Sequence, residues 1–377
     1  MKVQIRIMKK ETENPIKNPN PIKKTLREKI KEIPKVEIHL HLEGAIRLTT
    51  LKELAIQQNL KSIRSPLPTD QDDLQPYREY FCFTQPTDSL TSFVEKFFNI
   101  QQLLNSIEII ERITFEVCQD AFENGIKLLE LRYSPQFIAI SRYNDHSHLT
   151  LDDIHQAVLR GIEKSKSQFD MAIGLIGIFD RTLSVDIGLE TKDFFLKYKN
   201  DFIGVDLASD EKFDAFPFKD IFQECKANGL GITIHAGEAG SCSNISQAIE
   251  QLGATRIGHG IRILDNQSII NLAIEKNILL EVCPISNWLI NIVPDYESHP
   301  ILSLINHGLK CCINTDDNGI FNTTIIDEYE KLMIIHKLDE QDLLKLNLNA
   351  LEGSFIDQTI KDDIKMKYFI PYMKSLQ

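Results

Sequence analysis

His39 and His41 stand one residue apart at the end of an apolar run, VEIHLHLEG, a spacing by which a β-strand can hold a metal ion. Successive strand residues point to opposite faces, so both imidazoles lie on one side. A His-x-His pair alone says little, since two strand histidines can equally be satisfied by neighbouring carbonyls. Three more polar residues, however, end apolar runs further along: His235 in GITIHAGE, His259 in RIGHG and Asp316 in KCCINTDD. His39, His41, His235 and Asp316 together make a nitrogen-rich set with one carboxylate, which suits zinc. Such a set leaves a position for water, and zinc lowers the pKa of that water to about 7, so that a nucleophile exists at neutral pH.

Three further residues extend this chemistry. Glu238 follows His235 by three residues in HAGE, where Ala and Gly let the backbone turn tightly. A carboxyl held near a zinc-bound hydroxide and an apolar wall can have a raised pKa, which lets it move protons; the plainer alternative is a first-turn residue complementing a helix dipole. His259, flanked by glycines in IGHG, is either a ligand to a second metal or a hydrogen-bonding partner of the nucleophile. No lysine ends the run FIGVDLAS to bridge two metals, which favours one zinc per chain. Asp317, beside Asp316, is placed to exchange a hydrogen bond with a ring nitrogen of a substrate.

These residues need a scaffold that brings separate strand ends to one place. Eight short apolar runs alternate with longer amphipathic stretches: residues 36–41, 127–134, 172–180, 202–209, 231–238, 256–260, 278–286 and 310–317. Most are continuously apolar, the pattern of parallel strands covered on both faces. Between them lie helix candidates such as SIEIIERITFEVCQDAFENG and LDDIHQAVLRGIEK, each with a capping residue at or near its start or a Gly or Asn at its end. Eight strand-helix units predict an α/β fold, a (β/α)₈ barrel of the TIM type with extra helices at the N-terminus, after the first strand and at the C-terminus. An open doubly wound sheet is the rival. It fails to explain polar residues at the ends of strands one, five, six and eight, which only a closed barrel brings to one mouth.

Composition narrows the partners. The chain has 377 residues, 42% hydrophobic and 25% charged, enough to bury a large core, and its net charge of −12 argues against nucleic acid or an acidic membrane surface. A small neutral molecule fits better. No apolar run approaches the roughly 20 residues that span a bilayer, and the start, MKVQIRIMKK, mixes charge into what a signal peptide keeps apolar. The expected address is cytoplasmic. The seven cysteines form no Cys-x-x-Cys pair and are odd in number, so they are expected to be reduced, with Cys283 and Cys311 as core fillers. Residues 1–33 carry ten Lys or Arg against four Glu and read as a tail or packing arm, residues 34–377 as a single barrel domain.

The segments PKVEIHLHLEGAIR, LLELRYSP, GVDLASDE, ITIHAGE, RIGHGIR, LEVCPISN and NTDDNGIF, running from residue 34 to about 325, together resemble the adenosine deaminases of the amidohydrolase superfamily. The resemblance covers nearly the whole chain, in the family's order. It implies that His39, His41, His235 and Asp316 bind one zinc ion, that Glu238 carries a proton to purine N1, that His259 orients the attacking hydroxide, and that Asp317 hydrogen-bonds N7. The H-x-E and P-C-x-x-C signature of the cytidine-deaminase type is absent. The implied reaction is hydrolytic deamination of adenosine, and of 2′-deoxyadenosine, to inosine and ammonia in purine salvage.

Departures from the family pattern bear on substrate. Glu43 stands where many members have Asp bound to the ribose 5′-hydroxyl, and adenine deaminases of the same branch also carry Glu there; free adenine or a 5′-modified adenosine are therefore the alternatives. A carboxylate at this point disfavours a 5′-phosphate. Ser209 stands where a Gly usually gives its N–H to purine N3, and Asn318 replaces a common Pro. His41, Glu43, Ser209 and Asp317 are thus the expected substrate contacts. Phe81, Phe83, Phe93 and Phe97 are candidates for an apolar lid, with helix packing the expected role of the last two. Other classes remain: a binuclear amidohydrolase with His259 as ligand, or a non-catalytic signalling relative, which would not need an intact ligand set with Glu238.

Overall fold

The computed structural model describes residues 24–60, 67, 73–87, 90–139 and 149–376. Eight strands follow one another around a parallel sheet in chain order: β1 (Lys35–His41), β2 (Ile126–Tyr133), β3 (Ala172–Asp180), β4 (Phe202–Ala208), β5 (Gly231–Ala236), β6 (Arg256–His259), β7 (Leu279–Val282) and β8 (Lys310–Ile313). Each pairs with the next in parallel register. Nearly every strand residue is buried, because helices cover the outside while side chains fill the inside, and this is why the strands read as unbroken apolar runs.

The seam between β8 and β1 is closed differently. A single bridge pairs Leu40 with Asp316, with Asp316 N–H donating to the His39 carbonyl at 3.0 Å and His41 N–H to the Asp316 carbonyl at 2.9 Å. Side chains complete it: Asn314 Oδ1 accepts from Ile38 N–H (3.0 Å) and Glu37 Oε1 from Thr315 N–H (2.7 Å).

The expected extra helices are present. Leu48–Gln57, Gln75–Phe81, Leu90–Gln101 and Ile107–Glu123 lie between β1 and β2, and Ile325–Ile335, Glu340–Gly353 and Gln358–Ile364 follow β8. Part of the expected arm is a capped helix, Leu26–Glu32, whose Thr25 and Glu28 form a reciprocal capping box. It buries Ile30 completely, and Arg27 donates to both Asp327 and Glu330. The basic stretch over residues 1–20 lies outside the described residues.

Two runs end earlier than the sequence suggests. The run 278–286 stops as a strand at Val282, because Pro284 starts the helix Pro284–Leu289 with its fixed φ and missing N–H. The run 310–317 stops at Ile313, leaving Asn314–Asp317 free to turn towards the barrel mouth.

Candidate active site

All the candidate site residues converge at the C-terminal ends of the strands. His41, Glu43, Ser209, His235, Glu238, His259, Asp316 and Asp317 line one cavity of about 810 Å³. His39 lies just beneath it, fully buried.

The floor of the cavity is a four-atom donor cluster. His39 Nε2 is 3.1 Å from His235 Nε2 and 3.3 Å from His41 Nε2, and Asp316 Oδ1 is 3.2 Å from the Nε2 atoms of both His39 and His41. A tetrahedral ion with bonds of about 2.0–2.1 Å demands edges of about 3.3–3.4 Å; these four edges come close to that, and all four donor atoms lie within 4.8 Å of one another, so the set could hold a metal ion. The far nitrogens are held from behind: His39 Nδ1 lies 2.7 Å from Glu281, and His235 Nδ1 2.9 Å from Asp206. Partners of this kind fix the ring orientation and keep Nε2 bare for the ion. Burial pushes the His41 imidazole down to about 4 and His259 well below the usual range, so both rings face the cavity neutral.

Arg132 and Arg256 neutralise the buried carboxylates behind the cluster. Arg132 pairs with Asp206 and Glu281, each at 2.8 Å, and Arg256 with Glu281 at 2.6 Å. Burial alone would raise both carboxyls; Arg256 and Arg132 hold Glu281, and His235 and Arg132 hold Asp206, below the usual carboxylate range. Sequence reasoning assigned none of these four residues. Their signal was there, as charged residues inside otherwise apolar strand runs.

Beside the cluster stands the candidate proton carrier. Gly237 adopts φ +67°, and a Cβ at this position would meet Ile245 at 2.4 Å; its turn carries Glu238 over the cavity. Glu211 anchors that turn by accepting N–H bonds from Gly237, Glu238, Ala239 and Gly240 at 2.7–3.2 Å. Burial, then the charges of Asp316 and Glu211, push the Glu238 carboxyl well above its ordinary value. Its Oε1 lies 3.2 Å from His259 Nδ1 and accepts from Asn287 Nδ2 at 3.0 Å. Asn287 and Glu211 fall within LEVCPISN and GVDLASDE, yet no local pattern distinguishes them.

Asp317 and Glu43 sit on another side of the cavity. Asp317 Oδ1 is buried with no hydrogen-bond partner among the described residues, and burial followed by the Asp316, Glu43 and Glu238 charges raises its pKa well above the usual range. Only glycine fits at residue 44, where a Cβ would lie 1.7 Å from that oxygen. Glu43 Oε1 accepts from Ser134 N–H at 2.7 Å, and burial pushes its carboxyl up to about 7.

Three candidate site positions adopt φ values that side chains usually avoid: Ser209 (+78°), His259 (+62°) and Asp316 (+64°). Such strain persists where the surroundings impose it. Ser209, a cavity-lining residue, thus occupies a conformation that usually favours glycine. Ser209→Gly is accordingly expected to stabilise the fold by about 1 kcal/mol, relief of strain outweighing the greater freedom of glycine when unfolded. Chemical denaturation checks this, and a less stable variant would contradict it. Nothing in the structure explains the asparagine at 318.

The lid expectation is corrected. Phe93 and Phe97 line the cavity, their rings 5.2 Å apart edge to face, whereas Phe81 is wholly buried in the core and Phe83 faces a separate surface groove. Helical spacing shows which residues share a face but not that this face looks onto the barrel mouth.

A family model described as adenosine deaminase matches residues 34–367. The chain belongs to the adenosine deaminase family. Adenosine deaminases of Plasmodium gallinaceum and Plasmodium falciparum are 37% and 36% identical to it over 344 residues, covering 90% of this chain and 91% and 90% of theirs. Among solved structures, an adenine deaminase from Arthrobacter aurescens superposes with a TM-score of 0.80 at 26% identity, covering 90% of this chain and 99% of the other. As a member of the adenosine deaminase family the protein is an enzyme, and the donor cluster is a candidate site for a metal cofactor.

Proposed function

We propose that this protein hydrolyses the 6-amino group of adenosine, and of 2′-deoxyadenosine, to give inosine or deoxyinosine and ammonia, using one zinc ion per chain. The observation that carries the reading is the meeting, in one cavity, of a four-atom donor cluster with two carboxyls held above their usual pKa, Glu238 and Asp317. A bound zinc ion would be held by His39, His41, His235 and Asp316 and would supply Lewis acidity that makes water nucleophilic near neutral pH. Glu238, protonated, delivers its proton to N1 as C6 becomes tetrahedral. The proton of the hydroxyl that the attacking water has left on C6 then passes to the amino nitrogen, the C–N bond breaks, ammonia leaves, and a C6 carbonyl remains. Asp317, also protonated, donates to N7, and the orphaned Oδ1 accounts for one side of that contact. In this reading Ser209 N–H donates to N3, and Phe93 and Phe97, which line the same cavity, cover an apolar face of the nucleoside.

The finer substrate choice rests on Glu43. With Oε1 committed to Ser134, the second oxygen is the one available to the ribose 5′-hydroxyl. Glu43→Ala is expected to cost about 1–3 kcal/mol in kcat/KM for adenosine and much less for 5′-deoxyadenosine, which has no such hydroxyl. Equal losses on both nucleosides would refute the ribose role. Among the described residues no helix is long and apolar enough to cross a membrane. All seven cysteines are free, which accords with the cytoplasmic address we propose.

Ammonia release from adenosine, 2′-deoxyadenosine, adenine, AMP and 5′-methylthioadenosine tests the reading directly, with adenosine expected first and AMP last. A preference for adenine would overturn it in favour of the activity named for the Arthrobacter structure.

A further inference from the structure

Behind Glu238 and His259 runs a chain of hydrogen bonds that starts at a helix end. The helix Ile301–Asn306 begins with an N–H that has no partner inside the helix, and His299 Nδ1 accepts it at 3.2 Å. A backbone N–H can only donate, so Nδ1 of His299 is bare and its ring proton sits on Nε2. That nitrogen lies 3.3 Å from the side-chain amide of Asn287, and the amide atom facing it must therefore be the acceptor, Oδ1. The Asn287 NH₂ group is thereby turned the other way, with Glu238 Oε1 at 3.0 Å and His259 Nδ1 at 3.2 Å. Its two hydrogens serve both. His259 then accepts at Nδ1 and carries its proton on Nε2, the nitrogen that points towards the donor cluster, 4.0 Å from Asp316 Oδ2.

We infer that His299 is a positioning residue for the deamination chemistry: through Asn287 it orients the Glu238 carboxyl and fixes His259 as the Nε2–H tautomer. His259 consequently meets the nucleophile as a hydrogen-bond donor rather than as its base, so Glu238 is the residue free to move the proton. The inference builds on the proposed deamination for its kinetic consequence, while the tautomer rests on Asn287, and not Glu238 Oε1 at the same 3.2 Å, being the partner of His259 Nδ1. His299 is 3% exposed and Asn287 fully buried, so water does not compete for these bonds. His299 touches neither the cavity nor the donor cluster. Burial pushes its imidazole down to about 3, and the ring stays neutral, as the bond from Ile301 N–H requires.

Two measurements test this on the full-length, metal-loaded protein. In ¹⁵N-histidine-labelled wild type, two-bond proton–nitrogen correlations of the His259 ring, assigned by their loss in His259→Gln, are expected to show the Nε2–H pattern; an Nδ1–H pattern would overturn the inference. His299→Leu, which cannot donate to Asn287, is expected to lower kcat about tenfold with KM changed by less than about twofold, and to let the Nδ1–H form of His259 appear. His299→Gln restores a donor of similar reach and should recover kcat to within about threefold. A leucine variant with unchanged kcat, or a glutamine variant no better than leucine, would equally overturn it. Should the leucine variant fail to fold, the wild-type spectrum and the glutamine variant still decide. A protein with the expected tautomer that deaminates no purine would refute the proposed reaction and leave the hydrogen-bond chain standing.

Discussion

Glu238→Gln is expected to lower kcat for adenosine by at least about a hundredfold and to leave the metal content unchanged. Glutamine keeps the size of the side chain and can still lie beside Asn287, but it has no carboxyl proton to give. The wild-type carboxyl is suited to the task because burial and the neighbouring Asp316 and Glu211 charges keep it protonated where an exposed glutamate would be ionised. Without that proton the ring nitrogen must gain negative charge as C6 is attacked, and the barrier rises by roughly 3 kcal/mol or more, the equivalent of a hundredfold. KM should change much less, since the amide still fills its place. Steady-state kinetics alongside elemental analysis decides the point, and turnover near the wild-type rate would remove Glu238 from the proton-carrying role.

Stripping the metal has the larger effect. Prolonged chelation is expected to reduce activity to background and zinc to restore it, with about one ion bound per chain. Asp316→Ala should do the same without recovery, because it deletes one of the four donors and the residue that bridges His39 and His41. Removal should also be felt in the fold: a ligand present at a thousand times its Kd stabilises the folded state by about 4 kcal/mol, so the stripped protein should melt at a lower temperature. Full activity in a preparation shown by elemental analysis to be metal-free would end the metal-dependent account.

Much of this architecture is legible in the sequence for a physical reason. A strand covered on both faces has no polar side, so β1 to β6 appear as apolar runs whose ends fall within about two residues of the observed ones. The two later runs overshoot where a proline or a polar turn ends the ladder before hydrophobicity falls. The candidate metal donors are legible because histidine and aspartate at the ends of apolar strands are costly to bury without partners. Asn287 and His299 are not, since a buried asparagine and a loop histidine become informative only when their partners, over 25 residues away in the case of Asn287 and His259, are known. Phe93 and Phe97 were misplaced for a related reason: amphipathicity marks the buried stripe of a helix and is silent on whether that stripe meets core or substrate.

The β8–β1 seam joins Ile38 to Asn314 and Glu37 to Thr315, across 276 and 278 residues of chain. Contacts of such separation are the slowest to form, because the whole intervening chain must be ordered before they repay their loop closure. The donor cluster draws two histidines from the near side of this seam and its aspartate from the far side. Catalytic competence is therefore expected to be the final product of folding: a growing chain that has left the ribosome up to β7 holds three of the four donors but lacks Asp316 and the seam that seats it, and the appearance of activity during refolding would mark the moment at which the two ends of the molecule have met.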